Sequence, residues 1–312
     1  MIKQAITLSL CLLSILSLQA QKEMCITIDD LPAVTYGKNE QKHLLEITNA
    51  LIQTFDQYQI PAIGYVNERK LYMDGQVDEK RIALLELWLE NGYEIGNHTF
   101  SHPSYDRVSF EEFTKDILKG EKITRPLVKK YNQELRFFRH PYLRIGNTIE
   151  RHDSLVQFLA KHHYTEAPVS IDNEDYLFAK AYFVAYKKGD QELMQKIGED
   201  YVQYMENKVA YFEQSADSLF QRPIKQILLL HANLINAHYL DELAEMYQKK
   251  GYRFISQADA IEDPAYQSKI YGQGYGPWGI SWLDRWALSR GKKGTFFKDD
   301  PRTPEYIQEL AR

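Results

Sequence analysis

Apolar and polar positions alternate along this chain in two periods. Short apolar runs stand at 24–28 (MCITI), 62–66 (AIGYV), 93–97 (YEIGN), 136–138 (RFF), 167–171 (APVSI), 226–230 (QILLL) and 253–256 (RFIS). Their length and β-branched content predict strands. Between them apolar residues recur at helical spacing: Leu44, Ile47, Leu51 and Phe55; Ile82, Leu85 and Leu89; Phe113, Ile117 and Leu118; Leu155, Phe158 and Leu159; Leu240, Leu243 and Met246. Ser109 with Glu112 has the spacing of a capping box and marks one helix start. Repeated strand–helix units imply an α/β fold with a parallel sheet, and seven of them favour a (β/α)7 barrel over an open sheet.

Three segments stand outside that rhythm. Residues 1–20 carry one charge at Lys3, an apolar stretch from Ala5 to Leu18 and a small residue at Ala20. This predicts a signal peptide cleaved after Ala20, and so a periplasmic or extracellular protein with no transmembrane span in its mature chain. About 177–224 is long for a connection. Tyr201, Met205, Val209, Phe212 and Leu219 predict one inserted amphipathic helix from about Gln191 to Leu219, ended by Pro223, its apolar stripe packed on the barrel. Beyond 257 the chain is rich in Gly, Tyr and Trp. Trp278, Trp282 and Trp286, four apart, would stack on one side of a helix, so residues 258–312 are expected to wrap over the 21–257 barrel and reach toward its cleft.

Composition narrows the partners. Cleavage would remove Cys11 and leave Cys25 alone, so no internal disulfide is expected and the core must hold the fold. The net charge of −5, interspersed and without a basic stripe, argues against nucleic acid. The 22 tyrosines and 4 tryptophans suit sugar rings as well as a core.

Polar residues gather just past the predicted strand ends: Asp29 and Asp30, His98 and His102, Arg139 and His140, Asp172 and Asp175, and His231. In a parallel barrel those ends share one face, so the residues converge. Gly96, Asn97 and Pro103 place the two histidines in a loop or short first turn rather than on a helix. With Asp30 or Asp29 they make a three-ligand set with positions left for water, the pattern of a catalytic rather than a structural zinc site. Taken singly, each residue has a plain alternative: a solvated turn, a surface ion pair, a helix cap or a core histidine.

Taken in order, "TIDDLP", "HTFSHP", "FRHPY", "IDNEDY" and "LLLHA" resemble the five motifs of the polysaccharide deacetylase family, the NodB-homology domain of carbohydrate esterase family 4, over residues 24 to 257. That family is a distorted barrel of about seven strand–helix units that removes acetyl groups, usually from N-acetylated amino sugars, with a divalent metal. The resemblance implies that Asp30, His98 and His102 bind the metal and that Asp29 is the general base. It makes Arg139 the residue that orients the base and the Tyr142 backbone N–H the oxyanion donor. His231 becomes the general acid, Asp175 the carboxylate that supports the catalytic charge state, and Pro141 and Tyr176 part of the substrate pocket. The implied cofactor is one divalent ion, zinc first, although two histidines and a carboxylate also accept cobalt, nickel or iron.

Leu31, His140, Leu143 and Tyr176 depart from the family pattern, where glycine, proline, glycine and tryptophan are usual. They alter pocket walls and leave the ligand and proton-transfer positions unchanged, and His140 is expected to pack the loop rather than bind metal. The expected partner is an acetylated carbohydrate. The alternatives are an O-acetyl esterase on the same site and an inactive carbohydrate-binding barrel.

Overall fold

A computed structural model describes residues 21–312; the expected signal peptide, with Cys11, lies outside the described residues. The central strand is β1 (Lys22–Leu31). Its side chains are buried on both faces: Met24, Ile26 and Ile28 enter the large core shared with the helices, and Cys25 enters a smaller interior cluster with Ile63, Tyr65, Phe137 and Ile227. A strand covered on both sides reads as a continuous apolar run. Cys25, Thr27 and Asp29 thus follow one another on the interior face, at the strand's period of two.

The sheet also contains β2 (Ile63–Val66), β5 (Glu94–Asn97), β6 (Phe137–Phe138), β7 (Thr165–Glu166), β8 (Gln226–His231) and β9 (Tyr252–Phe254); a small antiparallel hairpin, β3 (Tyr72–Met73) with β4 (Gln76–Val77), stands apart. The seven strands are all parallel, in the order β7–β6–β5–β2–β1–β8, with β9 against the start of β1. The run 167–171, expected to be a strand, is not one. The strand is Thr165–Glu166, and the apolar run bends around the inside until Ile171 forms a single parallel bridge to Leu228. That bridge brings the curled sheet round to β8, giving the distorted barrel.

Helices cover the outside: α1 (Gln41–Tyr58), α2 (Glu79–Glu90), α3 (Phe110–Lys119), α4 (Thr124–Lys130), α5 (Ile149–Lys161), α6 (Asp175–Lys188), α7 (Gln191–Phe220) and α8 (Leu234–Lys249). Leu44, Ile47, Leu51 and Phe55 form the buried stripe of α1, and the Ser109–Glu112 capping box is formed in full at α3. The long connection holds two helices. Gly189, at φ +70, closes α6 in the left-handed conformation that suits glycine, and the Asp190 carboxylate caps α7 by accepting from Leu193 N–H at 3.0 Å. The stripe Tyr201, Met205, Val209, Phe212 and Leu219 of α7 is buried against α6, α8 and the C-terminal segment.

The C-terminal segment carries α9 (Gln257–Ile261), α10 (Trp282–Ser289) and α11 (Glu305–Leu310), and α10 packs on α7 while α11 packs on α6. Trp282 and Trp286 are buried on α10, but Trp278 precedes the helix and is 41% exposed. Pro277 and Gly279 interrupt the spacing before it can become helical. Cys25 is a free, buried thiol, and among the described residues no helix is long and apolar enough to cross a membrane.

Candidate active site

The carboxyl ends of the strands open into a cleft of about 610 Å³ lined by Asp29, Asp30, His98, His102, Asp172 and His231, among others. Each is held there for a local reason. Asp29 is the last of the inward series on β1 and stands in register with His231 on β8. Asp30 turns away from that series because its φ is +69, in the left-handed region. His98 and His102 leave β5 in a loop, as the flanking Asn97 and Pro103 require. The Asn97 side-chain oxygen accepts from Thr99 N–H at 2.7 Å, an Asx turn that reverses the chain, and Thr99 Oγ1 accepts from His102 N–H at 3.0 Å.

Asp30, His98 and His102 each offer one ligand atom, and these atoms lie within 4.8 Å of one another. His98 Nδ1 is 2.8 Å from the Arg139 carbonyl, which can only accept. The proton therefore sits on Nδ1 and the Nε2 lone pair is free, the tautomer that a metal-binding histidine needs. Nε2 faces His102 Nε2 at 3.1 Å, and His102 Nε2 lies 3.8 Å from Asp30 Oδ1. Asp30 Oδ1 is buried without a hydrogen-bond partner among the described residues. The free Nε2 lone pair of His98, the His102 nitrogen facing it and an unpartnered carboxylate oxygen fit a divalent cation. Lys70, which sequence reasoning passed over, is spent on the loop: its ammonium donates to the Asp30 and Ala33 carbonyls at 3.0 and 3.3 Å and lies 3.3 Å from Asp30 Oδ2. That leaves Oδ1 as the oxygen facing the histidines.

Charge separates the two aspartates. Burial pushes the Asp29 carboxyl up to about 6, against the pull of the Arg139 and His231 charges. Burial acts on Asp30 in the same direction, but the Lys70 ammonium and the neighbouring imidazoles overcome it and hold that carboxyl far below the usual range. Burial also keeps His98 and His102 below the ordinary imidazole value.

Across the cleft, Asp175 opens α6, fully buried, and its two oxygens face four donors. Oδ1 lies 2.6 Å from His231 Nδ1, and Oδ2 accepts from His231 N–H, Asn236 Nδ2 and Asn233 Nδ2. Burial favours a neutral His231, but the Asp175 charge and hydrogen bond outweigh it and raise the imidazole to about 9.

The other expected residues are placed less simply. Arg139 is buried with its guanidinium over the Tyr65 ring, and it donates to Thr27 Oγ1 at 3.0 Å rather than to Asp29; its influence on Asp29 is through charge. Tyr142 lines the cleft, 57% exposed, its ring edge-on to His102 at 4.4 Å. Tyr176 lines it too, but Pro141 is buried and absent from the wall, where Leu143 and Arg144 stand instead. His140 points away from the cleft to Glu166, at 2.6 Å. Leu31 fits beside β2 because Gly64 lies opposite: a Cβ there would come 2.2 Å from the Leu31 side chain.

Residues 18–165 match the sequence profile of the polysaccharide deacetylase family. Over that span, just under half of its length, the chain is similar to the polysaccharide deacetylase family. The span includes Asp29, Asp30, His98, His102 and Arg139, while Asp175 and His231 lie beyond it. Two peptidoglycan-N-acetylglucosamine deacetylases of Bacillus cereus are similar to this chain. One is 28% identical over 120 residues, 38% of this chain and 36% of that protein; the other is 32% identical over 114 residues, 35% of this chain and 43% of that protein. The aligned part is thus about two fifths of the relatives' length. In fold, the chain is similar to a peptidoglycan N-acetylglucosamine deacetylase solved with 4-naphthalen-1-yl-N-oxidanyl-benzamide (TM-score 0.52, 19% identity, 77% of this chain and 88% of that one). It is also similar to a mutant of a CE4 family pseudoenzyme (TM-score 0.50, 14% identity, 78% and 68%). One fold carries both, so activity has to be argued from the site.

Proposed function

We propose that this protein is an exported, metal-dependent deacetylase that hydrolyses the acetamide of N-acetylated amino sugars, of peptidoglycan, chitin or exopolysaccharide type, to an amine and acetate. The observation that carries this reading is the pairing of Asp29 with His231 on adjacent strands beside a separate His–His–Asp set. A binding surface has no need of a raised carboxylate and a raised imidazole paired beside a ligand set.

In this reading Asp30, His98 and His102 hold a divalent ion, zinc first, which when bound supplies Lewis-acid polarisation of water and of the acetyl carbonyl. Asp29 accepts a proton from the attacking water, and Arg139 keeps it ionised by charge. The Tyr142 N–H donates to the carbonyl oxygen as that oxygen gains negative charge. His231, kept protonated by Asp175, delivers its proton to the nitrogen as the carbon–nitrogen bond breaks, so the amine leaves neutral. Tyr142 and Tyr176 offer their exposed rings to the sugar. Residues 21–257 form the catalytic unit, and 258–312 an extension packed on it.

The test is acetate release by the metal-loaded protein from N-acetylated oligosaccharides and from O-acetylated xylan, with and without chelator. Release from the amide substrates that stops on chelation is expected. Release from the ester alone would replace this reading by an O-acetyl esterase, and none from either would reduce the protein to a binding barrel.

A further inference from the structure

The C-terminal extension, which the family profile does not reach, is built into the loop that carries Tyr142. Tyr142 and Leu143 have φ of +57 and +52, the left-handed region that ordinary side chains avoid. Two consecutive residues hold that backbone only where surroundings impose it. Much of what surrounds them comes from residues 274–285. Gly279 lies so close that a Cβ there would stand 1.7 Å from the Tyr142 carbonyl oxygen. Arg285, on α10 and fully buried, donates to the Leu143 carbonyl at 2.8 Å, the Trp278 carbonyl at 3.0 Å and the Gly274 carbonyl at 2.8 Å. Its guanidinium therefore ties the loop to both ends of the 274–278 turn. The turn is anchored to the barrel, since Trp282 N–H donates to the Val169 carbonyl at 2.7 Å.

We propose that the extension is a clamp on the 139–144 loop, with Arg285 and Gly279 as positioning residues that hold Tyr142 and Leu143 in their left-handed conformation beside the His98–His102 pair. The inference rests on the reading of the Tyr142 N–H as oxyanion donor. A donor must stand within a few tenths of an ångström of where the charge develops, so a loop shifted by about 1 Å is enough to slow turnover about 10²-fold. Gly279→Ala forces such a shift without touching the ligand set, and Arg285→Lys keeps the charge while losing the fork that reaches three carbonyls.

The experiment compares wild type, Gly279→Ala and Arg285→Lys as full chains, by amide hydrogen exchange over 137–147 and by kcat and KM for an N-acetylated oligosaccharide. Expected are faster exchange in that segment for both variants, metal content equal to wild type, and kcat lowered about 10- to 10²-fold with KM within about twofold. Gly279→Ala sits at a partly exposed turn and keeps the test open if Arg285→Lys fails to fold. Unchanged exchange in a folded Gly279→Ala overturns the clamp. Faster exchange with unchanged kcat overturns its role in turnover. If the wild type releases no acetate, the deacetylase reading falls, while the exchange measurement still decides the clamp.

Discussion

Two clusters in this molecule have the same composition, two histidines and one carboxylate, and the same tightness, with ligand atoms within 4.8 Å. Asp30, His98 and His102 open on the cleft; His140, itself in the 139–144 loop, turns away from the cleft to Glu166, which His152 also meets. The difference is where the protons point. In the first, His98 gives its proton outward to the Arg139 carbonyl, so its Nε2 lone pair faces inward, and Asp30 Oδ1 has no partner among the described residues. In the second, His140 Nε2 and His152 Nε2 both lie on one oxygen, Glu166 Oε1, at 2.6 and 2.8 Å. That carboxylate oxygen is already saturated by the two rings. A residue inventory cannot separate a metal site from a buried ion-pair network, but hydrogen-bond direction can.

The largest expected effect breaks the first cluster. Asp30→Ala, His98→Ala and His102→Ala each remove one of the three proposed ligands and should lose both bound metal and activity. Metal analysis of the purified variants checks this; stoichiometric metal in all three would dissolve the contrast between the clusters. Next is Asp29→Asn, which leaves Asp30 in place. Metal should remain while activity falls by about two to four orders of magnitude, the worth of a positioned general base. Asp30→Asn should instead be partly rescued by excess metal, and the reverse pattern of rescue would exchange the two roles.

A smaller effect is a shift in pH dependence. His231 is raised to about 9 because Asp175 outweighs burial, so it carries its proton at neutral pH. Activity that needs that proton should hold as pH rises and fall through about 9. Asp175→Asn removes the charge that raises it, and the alkaline fall should move down toward the ordinary imidazole value of about 6.5. An unmoved alkaline limb would mean that His231 is not the acid.

The elements that face both core and helix were legible in the sequence, because period and length alone specify them: β1, β5, β8, the stripe of α1 and that of α7. The position of β7 was not. Ala167–Ile171 has the apolar content of a strand, but it is buried as a bridge that turns the sheet inward, while the paired residues are the polar Thr165 and Glu166. The convergence of Asp29, Asp30, His98, His102 and His231 on one cleft was legible because parallel strands end on one face. Lys70, Gly279 and Arg285 were not, since they act on backbone carbonyls, and a carbonyl leaves no mark in the residue pattern. Trp278 misled for a related reason: four-residue spacing predicts one helical face only if the intervening residues are helical, and Gly279, Ile280 and Ser281 are not.

The smallest expected effect belongs to the second cluster. Glu166→Gln keeps the shape and removes the charge, so the bound metal should stay at one ion per chain while stability falls by about 1–3 kcal/mol, the usual worth of hydrogen bonds to a buried charge. Thermal unfolding should register this as a loss of several degrees. The size of the gap should follow pH. Burial works against the Glu166 charge, but the two imidazoles overcome it and hold the carboxyl below its ordinary 4.5, so its share is present above that value and fades in stronger acid. His152 is likewise opposed by burial and raised by Glu166 above its ordinary 6.5, so its share is complete below that value and fades as pH rises through the raised one. Both contributions overlap between those two values, so the difference between wild type and Glu166→Gln should be widest at mildly acidic pH and narrow on either side. A gap that does not change with pH would mean that the three groups are held together by packing alone, and a loss of metal would mean that the second cluster, and not only the first, takes an ion.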